Sequence, residues 1–143
     1  MKRLILVCAI LLLPLAAFSE VTKREKEACF LSPSYACVIT QALAIAKTTE
    51  DADDRAEALT GIATAQAKAG DVKEAKKTFV QAFASAKTIE DADDRAEALA
   101  DIATAQAKAG DVKEALATTK TIENVYWRAS ALTDIAEILF QIK

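Results

Sequence analysis

The 143-residue chain contains no histidine and sets 18 basic against 21 acidic residues, a net charge of −3, with the two signs interspersed. That balance excludes the basic stripe of a nucleic-acid binder. The missing histidine removes the commonest general base and with it the Ser-His and Cys-His nucleophile arrangements, so neither enzyme activity nor a cofactor is expected.

Residues 1–19 have the layout of a secretory signal. Lys2 and Arg3 precede an apolar run from Leu4 to Leu13, and Ala17, Phe18 and Ser19 offer small residues around a cleavage point before Glu20. The run is shorter than the roughly 20 residues of a spanning helix. No membrane insertion is expected after cleavage, and the mature chain is placed in a secreted or periplasmic compartment; an uncleaved anchor is the alternative.

Residues 20–31 form an N-terminal segment whose first part, EVTKREKEA, is charged and weakly amphipathic. Export would leave Cys29 and Cys37 as an even pair in an oxidising compartment, which predicts a disulfide. Closing so short a loop restrains the unfolded chain by about 2 kcal/mol. A metal site is not expected, because no histidine, no further mature cysteine and no CxxC spacing is present.

Residues 32–143 read as one helical repeat domain. Ser32-Pro33 is a helix-start signal, and Tyr35, Ile39, Ala42, Leu43 and Ala46 then recur at helical spacing. The stretch from Lys47 to Ala75 returns almost unchanged from Lys87 to Ala115, at an offset of 40 residues, with Thr49, Thr60 and Gly61 replaced by Ile89, Ala100 and Asp101. A period of that size means stacked supersecondary units, each unable to bury its apolar face alone. By the same offset the first element matches Ala75, Phe79, Ala82, Phe83 and Ala86, and is therefore the second helix of an incomplete repeat.

Asp51, Asp91 and Asn124 stand at the start of three helices as N-caps. Asp53, Asp54, Asp93 and Asp94 follow in the first turns, where negative charge meets the positive helix end. A calcium loop fails on the missing glycine and distal glutamate. Leu59, Ile62, Ala63, Gln66 and Ala69 form an apolar stripe ended by Gly70-Asp71, glycine suiting the left-handed closing residue. Val72, Ala75, Phe79, Ala82, Phe83 and Ala86 form the next buried face, with Lys73, Lys76 and Lys77 turned to water. So short a turn predicts an antiparallel helical hairpin.

The pattern Leu59, Ile62-Ala63, Gln66, then Ala75 and Phe79, resembles the tetratricopeptide repeat. The next copy supplies Leu99, Ile102-Ala103, Gln106 and Ala115, with Thr119 in place of the aromatic, and the last supplies Leu132, Ile135-Ala136 and Leu139. Gln66 and Gln106 replace the family's tyrosine, Lys87 stands near its terminal proline, and the period exceeds its usual 34 residues. The resemblance implies an all-α fold, a right-handed α-α solenoid of antiparallel hairpins with about 2.5 to 3 repeats.

Arg55 to Arg95 is 40 residues but Arg95 to Arg128 is 33. The loss of seven, two helical turns, rotates the downstream face by only about 20°, so Val112, Ala115, Thr119 and Ile122 keep one side. The last helix, from Val125, is a first helix without its second. Its Tyr126, Trp127 and Phe140 are expected to pack back as a cap, or else to form a homodimer contact.

The resemblance also implies a concave groove of first helices that holds a protein or peptide partner. Helix phase places there Glu57, Thr60, Thr64, Ala67 and Lys68, then Glu97, Ala100, Thr104 and Lys108, then Thr133, Glu137 and Phe140. An exported interaction module or scaffold is the function expected, with homo-oligomeric self-association through the aromatic C-terminal helix as the alternative.

Overall fold

The computed structural model describes Cys29 and residues 31–141. The expected signal at 1–19 and nearly all of the 20–31 segment lie outside the described residues. Within them the regular structure is all helical: α1 (Tyr35–Thr48), α2 (Ala52–Lys68), α3 (Val72–Ala86), α4 (Ala92–Lys108), α5 (Val112–Thr119) and α6 (Val125–Gln141). No helix among them is long and apolar enough to cross a membrane. Chain contacts define two compact units, one ending at Gln41 and one beginning at Ala42.

In the first unit Cys29 and Cys37 are joined as expected, their Cα atoms 5.8 Å apart. The start of α1 corrects the Ser32-Pro33 expectation. The cap is Ser34, whose Oγ accepts the Cys37 amide at 3.3 Å while its carbonyl takes the first intrahelical bond, from Val38. Proline disfavours helical geometry in the residue before it, so Ser32 is held out and the hydroxyl after the proline takes over.

In the second unit the predicted caps form. Asp51 accepts the amides of Asp53 and Asp54 at 2.9 and 3.1 Å, and Asp91 repeats this with Asp93 and Asp94. Asn124 accepts from Tyr126 and Trp127, and its amide donates to Asp93 at 2.8 Å, tying the start of α6 to that of α4. Gly70 and Gly110 close α2 and α4 at φ 89° and 84°. The amide of Asp71 reaches back to the Gln66 carbonyl and that of Gly70 to Ala67, so that the last carbonyls of α2 are satisfied as the chain turns.

The duplicated helices pack alike, α2 on α3 and α4 on α5, and α4 also packs on α2, α3 and α6. Ala56, Leu59, Ile62 and Ala63 are buried in α2, and Ala96, Leu99, Ile102 and Ala103 in α4. Buried alanines such as Ala63, Ala75, Ala82 and Ala86, each at most 2% exposed, leave room for the backbones to approach closely. The buried glutamines of the two stripes are explained by their partners: Thr78 donates to Gln66 Oε1 at 2.7 Å and Thr118 to Gln106 Oε1 at 2.8 Å, all four side chains being buried. Arg55 ties the same pair from the other end, donating to Ser85 Oγ at 3.0 Å and to the carbonyl of Thr49 at 2.7 Å.

The seven-residue deletion is visible as helix length, since α3 has 15 residues and α5 has 8. Ile89 and Ile122, the matching residues after them, are both buried. Six assignments made by helix phase need correction. Ala69 and Val72 are exposed, because the chain leaves the interface at the Gly70 turn before either can be covered. Ala100, placed in the groove by phase, is instead buried, because α4 packs on more neighbours than α2 does. In α6 only Ile135 of the shared stripe is buried, while Leu132, Ala136 and Leu139 are exposed, since no helix among the described residues covers them.

Candidate functional site

The faces of α2 and α4 turned away from α3 and α5 lie side by side and enclose two open depressions. The first, of about 560 Å³, begins where both helices begin; its walls carry Asp53, Glu57, Thr60 and Thr64 from α2 and Asp94, Glu97 and Asp101 from α4. The second, of about 440 Å³, follows toward the helix ends and is lined by Thr64, Lys68, Asp101, Thr104 and Lys108. Thr64 and Asp101 belong to both.

Eight of the sequence-predicted groove residues therefore meet in one surface: Glu57, Thr60, Thr64, Ala67, Lys68, Glu97, Thr104 and Lys108. Thr133, Glu137 and Phe140 line a separate depression on α6. The aromatic residues do not form one patch. Tyr126 and Phe140 are exposed, and Trp127 is half-buried with the Tyr126 ring edge-on to it at 5.2 Å. Tyr126 and Phe140 are fourteen residues apart on the helix, about 21 Å along its axis.

Sequence reasoning missed Asp53, Asp94 and Asp101. Sequence position explains the first two by the helix dipole alone, and they serve it, but they also line the groove. Asp101 carried its own signal: it is one of the three positions at which the copies differ, standing where α2 has Gly61. Burial pushes its carboxyl above the usual carboxylate range, helped by the negative charges of Glu57 and Asp134, with Lys108 opposing. Asp53 is raised as well, by burial and by the neighbouring Asp94, Asp51, Asp54 and Glu57.

The hydroxyls on this face are turned inward. Thr60 donates to the Ala56 carbonyl, Thr64 to that of Thr60, and Thr104 to Asp134 Oδ2 at 3.2 Å. The groups left to meet a ligand are carboxylates at one end and two ammonium groups at the other. Among the described residues no group of three or more Cys, Asp or Glu side chains is placed to hold a metal ion. A small apolar ligand finds no apolar pocket here of the kind such sites need. The arrangement suits an elongated polar ligand whose charge changes sign along its length.

No family model, curated protein or solved structure matches the chain. Its functional reading rests on the geometry just described.

Proposed function

We propose that this chain is an exported protein-interaction module: a right-handed solenoid of antiparallel helical hairpins similar to tetratricopeptide repeats, docking a peptide or protein segment in the groove between α2 and α4. The observation that carries the reading is the division of labour on the two duplicated helices. One face of each is sealed by its following helix through Leu59 and Leu99, while the other joins its counterpart in a continuous trough. The trough prefers a segment with basic side chains toward the start of α2 and α4 and acidic groups toward Lys68 and Lys108. The Cys29–Cys37 bond is in keeping with an oxidising compartment.

Charge reversal tests this. In the exported fraction, partners recovered by crosslinking to the natural chain are expected to be lost from the Glu57→Lys/Glu97→Lys variant. Both side chains are exposed, so the fold should be retained, as checked by its helical circular dichroism. An unchanged partner set would refute the groove. Mass spectrometry of the exported protein is expected to show Glu20 as the first residue.

A further inference from the structure

Two helices, α1 and α6, carry complementary halves of one hairpin that no described helix covers. On α6, Leu132, Ala136 and Leu139 match Leu99, Ala103 and Gln106 of α4 at an offset of 33, and Leu59, Ala63 and Gln66 of α2 at a further 40. In α2 and α4 this face is sealed by α3 and α5: Leu59 and Leu99 are 2% and 3% exposed, whereas Leu132 is 43% exposed. On α1, Val38, Ala42 and Ile45 match Thr78, Ala82 and Ser85 of α3. Those three α3 residues are buried and face α2, where Thr78 meets Gln66 and Ser85 meets Arg55. Val38 and Ile45 are 50% and 67% exposed.

The substitutions at the two ends are matched. Each internal pair buries a glutamine against a threonine, Gln66 with Thr78 and Gln106 with Thr118. At the ends the glutamine position holds Leu139 and the threonine position holds Val38, and Ser85 is replaced by Ile45. Array ends that face only water are normally made polar. Here the glutamine–threonine contact has become apolar on both partners, Leu139 and Val38, while Arg128 keeps the position of Arg55 opposite Ile45. An apolar residue opposite a lone amide would leave that amide unsatisfied; changing both members together keeps the contact sound.

We infer that α1 of one copy seats on the Leu132–Ala136–Leu139 face of α6 of a second copy, so that two chains complete one hairpin head to tail. The occupant is a second copy because this chain itself carries the second-type helix whose facing residues fit, Val38 to Leu139. The contact is heterologous and leaves each chain one spare end, so association continues into short open oligomers or a ring. A single helix face per partner buries less than the roughly 1,200 Å² of a stable complex, and the association is therefore weak and concentration-dependent. The inference goes beyond the groove reading and uses a different face.

Sedimentation velocity over about 10 to 1,000 μM, the span of weak affinities, is expected to show the natural chain growing beyond the monomer. Val38→Glu alone and Leu139→Glu alone are each expected to stay monomeric; both sites are exposed, and unchanged circular dichroism verifies folding. Mixed in equal amounts they are expected to form a dimer and nothing larger, since the first variant keeps Leu139 and the second keeps Val38. A natural chain that is monomeric throughout overturns the inference while leaving the groove untouched. So does a Val38→Glu variant that assembles normally, or a mixture that remains monomeric.

Discussion

Replacing Thr78 by valine removes the donor that Gln66 Oε1 receives at 2.7 Å in the contact between α2 and α3. Both side chains are at most 4% exposed, so water does not replace the lost bond, and a buried acceptor left without its partner costs about 1–3 kcal/mol. Gln66→Leu is the milder change. The Thr78 hydroxyl also lies 3.1 Å from the Glu74 carbonyl, and it keeps that acceptor, so the expected loss is below about 1 kcal/mol. The double variant removes both polar groups and should be nearly neutral, giving a coupling of about 1–4 kcal/mol between the two sites, the sum of the single costs. Urea denaturation of the four proteins measures it, and in thermal melts each kcal/mol corresponds to roughly 4–8 °C for a domain of this size. Strict additivity, or a harmless Thr78→Val, would refute the reasoning. The same test bears on the chain ends, where Leu139 and Val38 already stand as the double replacement.

Asp51→Ala should cost about 1 kcal/mol, because its side chain holds two otherwise free amides of α2. Asp71→Ala should cost much less, since Asp71 makes no side-chain cap bond to α3; parallel chemical denaturation separates the two. Asp101→Asn should stabilise the protein at neutral pH. Its folded carboxyl titrates above the ordinary aspartate value, so in the window between the unfolded and folded values the native state binds more protons and stability falls as pH rises through it. The gain from asparagine is therefore present above the folded pKa and vanishes below the unfolded one, and stability curves at acid and neutral pH that differ from the natural chain by the same amount would contradict this.

The helices were legible because their punctuation is local. Asp51, Asp91 and Asn124 mark starts by a side chain that reaches only two or three residues ahead, and Gly70 and Gly110 mark ends by a backbone angle that favours glycine. The deletion of seven residues was legible for the same reason, as helix length is a property of one segment. What the sequence did not show was which stripe finds a cover. Leu99 and Leu132 stand in equivalent positions, and only the presence of α5 after one and of no described helix after the other decides that the first is buried and the second exposed. The groove was foreseen in outline, from Glu57 to Lys108. Its acidity was not, because Asp53 and Asp94 were already accounted for by the helix ends, and their approach to Asp101 depends on how α2 and α4 lie side by side.

The three-residue turn Ala69-Gly70-Asp71 also settles a question that duplicated sequence raises. With α2 and α4 so nearly identical, α3 and α5 could trade partners while the chain collapses, and residue identity alone offers little to stop them. Tethering does. A segment held at its neighbour's end by so little slack meets that neighbour far sooner than any distant twin. The correct match is chosen by connectivity, and near-identical copies can then coexist in one chain without confusing its assembly.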